Sequence, residues 1–341
     1  MRVSSRIAAT FVLLAGAATL ALAACGTSAG PATDVKLALD WIPNTNHTGI
    51  YVAQQQGYYR QHGINVALMP YGSTAPEALV ASGQVQFAVS FQEYVTINRA
   101  AGQPLVAVAA IIAHNTSGMA VLANSGITRP AQLQGKRFAS AGDPAEDAVI
   151  ATMLAHDGVA HPSYQPIQVQ DASHTSLVSK AADFVWIYNG VEGVQAKDEG
   201  VNLTTFNPTD YGVPDFYSPV LITSQQEITQ HPDVVRAMVQ ATAQGYSYAA
   251  QHPHESADLL LQHAGGTLFA NPQQAYDSQA FQSAHYSDKL ACWGQQSGAT
   301  WANFGHFLYG AGVLVDANNK PLTSEPDYTA MFTNQFLASC S

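Results

Sequence analysis

Short runs of alternating apolar and polar residues recur along the chain, separated by stretches with helical periodicity. In the first run, apolar side chains alternate with Lys36 and Asp40 and end at Trp41, which is typical of a strand with one buried face. The pattern after it predicts helices over 47–56 and 74–82 and strands over 64–68, 85–89 and 105–112. Because helices of this length join buried strands, we predict right-handed crossovers and a parallel sheet.

A second unit of the same kind begins at Met119. Its pattern predicts strands over 136–140, 167–169 and 184–187 and helices over 144–156, 174–180 and 191–199. Asp143 is the predicted N-cap of the helix that has Pro144 at its first position. A strand over 217–223 then crosses back, and helices over 234–250, 254–263 and 300–309 follow.

This order predicts two α/β lobes joined by a two-strand hinge. We assign residues 34–116 and 221–341 to the first lobe and 117–220 to the second, with hinges near 113–118 and 218–222. A length of 341 residues also favours two lobes over one. The arrangement indicates a clamshell binding protein that closes around its ligand.

The N-terminus carries an export pattern. Arg2 and Arg6 precede an apolar run over 7–22, and Leu22-Ala23-Ala24-Cys25 is similar to a bacterial lipobox. We predict a signal peptide over 1–24, lipidation of Cys25 and a tether over 25–33. The protein would then be exported and lipid-anchored to the outer face of the bacterial cytoplasmic membrane. The alternative is a plain signal peptide with an incidental cysteine.

Composition narrows the possible partners. The formal net charge is -11 with 13 Lys and Arg in all, so the basic stripe that nucleic acid or anionic lipid requires is missing. Once Cys25 is assigned to lipid, Cys292 and Cys340 remain, and such a pair in an exported protein favours a disulfide. Neither cysteine has the neighbours of a metal ligand or of a nucleophile.

Aromatic side chains stand at predicted strand ends or first helical turns of both lobes. Ligands of open α/β sheets bind at the carboxyl ends of strands, where Trp41 and the turn containing Gln92 lie. Such rings could sandwich a flat ligand, and core filling is the alternative for each of them. The aromatic candidates are Trp41, Tyr51, Trp186, Tyr188 and Tyr217.

Polar candidates accompany these rings. Glu192 begins a helix, and its carboxylate could accept from the ring nitrogen and the amine of an aminopyrimidine; a simple first-turn charge preference is the alternative. One of Asn44, Asn46 and His47 is expected to cap the first helix, and the others to face the cleft. The stretches 40–51, 90–93, 139–146 and 184–192 contain no Arg or Lys, which favours a neutral or weakly basic aromatic ligand over an anion.

Four motifs carry a family resemblance: Asp40-Trp41-Ile42-Pro43-Asn44-Thr45-Asn46-His47, Ser90-Phe91-Gln92-Glu93, Trp186-Ile187-Tyr188-Asn189-Gly190-Val191-Glu192-Gly193 and Asp215-Phe216-Tyr217-Ser218-Pro219. They resemble the Thi5/NMT1-like substrate-binding proteins, above all receptors that deliver thiamin pyrimidine precursors to an ABC importer. The resemblance implies a type II periplasmic-binding-protein fold and a monomer that works with a permease and an ATPase subunit. It places Trp41 and Tyr51 in one wall and Trp186 and Tyr188 in the other, with Glu192 gripping the amino edge of the pyrimidine.

Two stretches depart from the family pattern. Relatives commonly have an aromatic, glycine-rich segment where this chain has Ala139 to Pro144, and Asp143 is the candidate replacement for the lost contact. The related eukaryotic pyrimidine synthase consumes a histidine at the position of Tyr94. We therefore expect a receptor without catalytic activity, cofactor or metal that binds formylaminopyrimidine or hydroxymethylpyrimidine. The alternatives are riboflavin or another flat heterocycle as ligand and, more remotely, a pyrimidine synthase-like enzyme.

Overall fold

Two five-stranded sheets organise the chain in the computed structural model, which describes residues 32–169, 172–288 and 292–338. The predicted signal peptide, the lipidation of Cys25, most of the tether and Cys340 lie outside these residues. The strands are β1 Thr33–Ala38, β2 Ile64–Met69, β3 Phe87–Ser90, β4 Leu105–Ala110, β5 Ser117–Leu122, β6 Arg137–Ser140, β7 Gln165–Gln168, β8 Phe184–Tyr188, β9 Leu203–Phe206 and β10 Val220–Ser224.

Helices connect and cover the two sheets. They are α1 Thr48–Gln55, α2 Tyr58–Gln61, α3 Pro76–Ala81, α4 Gln92–Ala100, α5 Glu146–His156, α6 His174–Val178, α7 Val194–Asp198, α8 Gln225–Gln230, α9 Pro232–Gln251, α10 Pro253–His263, α11 Pro272–His285 and α12 Gly298–Gly310. Short 3-10 turns lie at Thr45–His47, Pro130–Leu133, Pro208–Tyr211 and Tyr328–Met331, and a π-helical turn lies at Asn189–Gly193. Within the described ranges, no helix is both long enough and apolar enough to cross a membrane.

Strand β1 pairs in parallel with β2 and β3, as predicted for the first unit, whereas each whole sheet also contains an antiparallel strand. The first sheet has the order β2, β1, β3, β10, β4, and β10 runs antiparallel to β3 and β4. The second has the order β7, β6, β8, β5, β9, and β5 runs antiparallel to β8 and β9. The reversed strand in each case is the one that enters from the other sheet. The two-lobed α/β architecture is confirmed.

Some predicted boundaries shift. Helix α5 begins at Glu146 instead of Pro144, because Asp143 Oδ1 accepts from the Ala145 N–H at 2.7 Å and holds a separate turn before the helix. The strand predicted from Tyr217 begins at Val220. Strand β9 and helix α11 were not predicted.

Helices α1 and α9 pack with almost no space between their backbones. A Cβ atom on Gly245 would lie 2.0 Å from the Gly49 carbonyl oxygen, and one on Gly49 would lie 2.3 Å from the Tyr246 ring. The Tyr246 hydroxyl donates to the Asn46 carbonyl oxygen at 2.6 Å, and its ring stacks on Trp293. This contact fixes the start of α1, where the first wall of the predicted cleft lies.

Candidate ligand site

The first wall is the turn between β1 and α1. Asn44 caps it, because its Oδ1 accepts from the Asn46 N–H at 2.9 Å while its Nδ2 donates to the Ile42 carbonyl. His47 is fully buried; its Nδ1 accepts from the Asn44 N–H, so Nε2 carries the proton and donates to Asp40 Oδ1 at 2.6 Å. Asn44 and His47 therefore shape the turn from within.

Helix α11 joins this turn to the second lobe. Gln282 Nε2 donates to Asn46 Oδ1 at 2.5 Å, and the Ser278 hydroxyl lies 2.6 Å from the Thr45 hydroxyl. The same Ser278 hydroxyl donates to the carbonyl oxygen of Gly190 in the π-helical turn after β8. A Cβ atom on Gly190 would lie 2.5 Å from the Phe281 ring, so the two elements touch directly. One helix thus contacts both walls.

The second wall is the end of β8. Trp186 and Tyr188 lie half-buried on the same face of the strand. Trp186 Nε1 donates to the Ser117 hydroxyl at 2.7 Å, and the Tyr188 hydroxyl lies 3.3 Å from that of Ser218. The Tyr188 ring stacks on Phe91 of the first lobe, with centroids 6.1 Å apart and planes 27° apart. The two walls therefore meet at an aromatic contact.

Glu192 lies in the π-helical turn, and one of its carboxylate oxygens accepts from the Tyr188 N–H at 3.0 Å. This bond caps the turn and fixes the backbone that carries the Tyr188 ring. The structure thus gives Glu192 a positioning contact within the second wall. A direct contact with a ligand stays a prediction.

Gln92 and Tyr217 are held in the interior. Gln92 is fully buried, and its Oε1 accepts from the Tyr217 N–H at 2.8 Å while its Nε2 donates to the Thr300 carbonyl. The Tyr217 hydroxyl accepts from the Ser297 N–H at 2.7 Å, and its side chain is buried. These hydrogen bonds connect α4, the second crossover and the start of α12.

Trp41 and Tyr51 differ in exposure. Trp41 is 41% exposed and lies against Tyr71, with ring centroids 4.8 Å apart, so an indole face at the end of the first wall is accessible. Tyr51 is buried among apolar side chains of the first lobe, and burial raises the pKa of its hydroxyl. Tyr71 was not among the predicted site residues.

Acidic and phenolic side chains collect where α4 faces the loop after β6. Glu93 is 3% exposed, and burial raises the pKa of its carboxyl well above the ordinary value, with Asp143 as the next cause. Burial likewise raises the pKa of Asp143 to about 6, against the lowering effect of the Tyr94 hydroxyl. Across 32–169, 172–288 and 292–338, no Lys or Arg contacts Glu93, Asp143, Tyr94 or Tyr188.

Sequence reasoning missed Glu93, Tyr94 and Phe91 as site residues. Two signals were available: Phe91 and Glu93 belong to one of the motifs that carry the family resemblance, and Glu93 shares a buried helical face with Thr96, three residues on. Asp143 and Tyr188 lie within electrostatic range of this cluster, and their assignment to a ligand site stays a prediction. Among the described residues, no group of three or more His, Cys, Asp or Glu side chains has the arrangement of a metal site.

Cys292 is disulfide-bonded. Because Cys340 lies outside the described residues, the pairing of these two cysteines stays a prediction.

A family model described as NMT1/THI5 like matches residues 44–256, which include the second wall and the part of the first wall from Asn44 onward. The chain belongs to the NMT1/THI5-like family. A formylaminopyrimidine-binding protein from Halalkalibacterium halodurans is 32% identical to this family member over 72% of the chain and 76% of its own length. A 4-amino-5-hydroxymethyl-2-methylpyrimidine phosphate synthase from Legionella pneumophila is 28% identical over 67% and 73%, respectively.

A more distant relative is the riboflavin-binding protein RibY of Chloroflexus aurantiacus, which is 25% identical over 89% of this chain and 86% of its own length. The periplasmic aliphatic sulphonate binding protein SsuA from Escherichia coli superimposes with a TM-score of 0.61 at 13% identity, covering 86% of this chain and 94% of that one. This likeness confirms the periplasmic-binding-protein fold for this NMT1/THI5-like chain.

Proposed function

We propose that this NMT1/THI5-like protein is an extracytoplasmic solute-binding protein of an ABC importer and that its ligand is a thiamin-related aminopyrimidine. Formylaminopyrimidine and hydroxymethylpyrimidine are the two candidates. The likeness to the formylaminopyrimidine-binding protein supports this class of ligand, and the resemblance of the cleft motifs points the same way. Lipid anchoring through Cys25 and delivery to a permease belong to the same proposal.

One observation carries the proposal: the site combines an accessible aromatic face with acidic groups, and within the described ranges no Lys or Arg stands beside them. Trp41 offers an exposed indole, and Tyr188 stacks at the opposite wall. Offset stacking on a ring contributes about 0.5–1.5 kcal/mol beyond the burial of its area. Carboxyl groups at the polar end favour a ligand that brings hydrogen-bond donors, whereas a sulfonate or nitrate would require cations.

Isothermal titration of the ligand-free protein separates the candidates. The panel is formylaminopyrimidine, 4-amino-5-hydroxymethyl-2-methylpyrimidine, thiamin, riboflavin and taurine. We expect saturable binding of at least one aminopyrimidine and none of taurine. Riboflavin is the second candidate, favoured by the likeness to RibY, and binding of riboflavin alone would replace the pyrimidine assignment. Binding of taurine alone would contradict the aromatic-site argument.

The synthase-like alternative needs its own test because a relative carries that name. We expect no pyrimidine product and no loss of a histidine by mass spectrometry after incubation with pyridoxal phosphate. Tyr94 stands at the position that the resemblance assigns to the consumed histidine, which argues against this activity.

A further inference from the structure

Glu93 has a buried oxygen without a partner. The residue is 3% exposed in the first turn of α4, and its Oε2 makes no hydrogen bond in the described part of the chain. Two neighbouring acids are different: the Ser90 hydroxyl donates to Glu77, and Glu146 accepts from the Ser140 hydroxyl at 2.5 Å and the Ala141 N–H at 3.0 Å. An unsatisfied buried acceptor is costly, so a group absent from the protein itself is expected to supply the donor.

Asp143 faces Glu93 from the second lobe. It lies half-buried in the loop between β6 and α5 and is hydrogen-bonded to the hydroxyl of Tyr94, the residue that follows Glu93 in α4. The Asp143 carboxyl also raises the pKa of Glu93. Neighbouring carboxyl groups resist simultaneous ionisation, so such a pair keeps a proton more readily than isolated carboxyls do. The other titratable groups that face the pair are Glu77, Tyr94, Tyr188 and Glu146, with Asp40 beyond them.

A carboxyl pair that holds one proton has a donor and an acceptor side by side. The amino edge of a 4-aminopyrimidine has the opposite pattern, because its exocyclic amine donates and its ring nitrogen accepts. Tyr188 and Phe91 place their stacked rings next to this pair, which fits a flat ring whose edge reaches the acids. Glu192, in contrast, already receives the Tyr188 N–H on one oxygen.

We propose that Glu93 and Asp143, one from each lobe, form the polar end of the ligand site and recognise the amino edge of an aminopyrimidine, while Glu192 positions Tyr188. This inference rests on the proposed function and names the residues that determine specificity within it. Closure is then linked to recognition, because the ligand edge bridges acids that belong to different lobes.

The test compares two ligands across four proteins by isothermal titration. The ligands are 4-amino-5-hydroxymethyl-2-methylpyrimidine and its counterpart with an oxo group in place of the amine. The proteins are wild type, Glu93→Gln, Asp143→Asn and the matched control Glu77→Gln, whose buried acid has its partner in Ser90. We expect at least a tenfold loss of affinity for the amino ligand in each of the first two variants and less than a twofold change in the control.

The ratio of affinities for the amino and oxo ligands is the readout that a purely structural role would not move. It should fall by about tenfold in Glu93→Gln, with the thermal midpoint unchanged or raised because a buried acid with an unsatisfied oxygen is replaced by a neutral amide. Should Glu93→Gln fail to fold, Asp143→Asn carries the test, since its side chain lies in a loop. Unchanged affinity and ratio in a folded Glu93→Gln or Asp143→Asn variant would overturn the inference. Failure of the wild-type protein to bind any aminopyrimidine would instead refute the proposed function.

Discussion

The His47 imidazole holds the turn between β1 and α1 in shape, although it lies near Trp41 in the sequence and was predicted as a ligand contact. Both ring nitrogens are engaged, one by the Asn44 N–H and the other by the Asp40 carboxylate, and the side chain is fully buried. These bonds fix the turn that presents Trp41. The residue therefore acts on ligand binding through the shape of the wall.

His47→Ala should lower the free energy of unfolding by about 2–4 kcal/mol, because it leaves a buried carboxylate and a buried N–H without partners. Urea unfolding followed by tryptophan fluorescence measures this loss. The matched control is His231→Ala, which removes a 56% exposed histidine from a pair with Glu227 and should cost less than about 1 kcal/mol. Lost ligand affinity at unchanged stability would instead indicate that His47 touches the ligand.

Asp143 makes stability depend on pH in a direction opposite to that of a salt-bridged acid. Its pKa in the folded protein, about 6, lies above the ordinary value, so folding is favoured at low pH and that contribution is lost as pH rises through about 6. Asp143→Asn cannot titrate. The ligand-free variant should therefore be more stable relative to wild type at pH 7.5 than at pH 4.5.

Denaturant unfolding at the two pH values gives this difference. Asp183→Asn is the control, because Arg137 lowers the pKa of Asp183; both pH values lie above the ordinary carboxyl pKa, so its removal should cost similar stability at both. An Asp143→Asn effect that is equal at both pH values would show that the acid is not perturbed in the folded protein.

Sequence patterns locate side chains on an element better than they show what covers it. Tyr188 lies at the end of β8 as predicted, whereas β1 ends at Ala38, three residues before Trp41, so alternation placed that strand but not its last residue. The burial of Glu93 was not predicted, because an acid in the first turn is common at an exposed helix start, whereas here it is 3% exposed. Gln92 and Tyr217 turn inward for a similar reason: their partners come from α12, far along the chain.

At the scale of elements, the close packing of α1 on α9 depends on two glycines. Gly245→Ala should destabilise the protein by about 1–3 kcal/mol or more, because its Cβ would overlap the Gly49 carbonyl. Thermal unfolding by circular dichroism measures the change. Gly310→Ala, in α12 with no atom near the added methyl group, should leave the midpoint unchanged or slightly raised. Equal midpoints for the two variants would contradict the close packing.

Most helices and strands were predictable from the sequence, but the antiparallel direction of β5 and β10 was not. Periodicity predicted β1, β2, β8 and the long helix α9, because each buries one face over its whole length. Strand direction depends on where a strand enters the sheet, and β5 and β10 enter after crossovers from the other lobe. The sequence pattern did not predict α11, because glutamines and small residues form its buried face in place of large apolar ones. Asn271 and Pro272 mark its start.

At the scale of the molecule, the two crossovers between the sheets are tied to each other. His114 Nδ1 lies 2.5 Å from Asp215 Oδ2, and Asp215 Oδ1 accepts from the Asn115 N–H at 3.0 Å. The side chains of this pair are 46% and 37% exposed, so their contribution to global stability is small. Because the pair joins the two crossovers, we expect it to restrain the motion of one lobe relative to the other.

Asp215→Ala should raise the dissociation rate of a bound aminopyrimidine several-fold while changing the free energy of unfolding by less than about 1 kcal/mol. The reason is that a looser hinge loses more conformational freedom when the lobes close. Stopped-flow tryptophan fluorescence gives the rate. Asp157→Ala, which breaks a pair with Arg129 inside the second lobe, is the control and should leave the rate unchanged. Identical rates in both variants would show that the pair does not restrain closure.

Helix α11 has a consequence for when the protein can first bind. The residues of both walls, from Trp41 to Glu192, are synthesised early, and the segment matched by the family model ends at residue 256. The helix that bonds Asn46 and Thr45 on one side and Gly190 on the other begins only at Pro272. A growing chain therefore contains both walls before it contains the helix that joins them. We expect the chain to bind its ligand stably only after α11 has been synthesised.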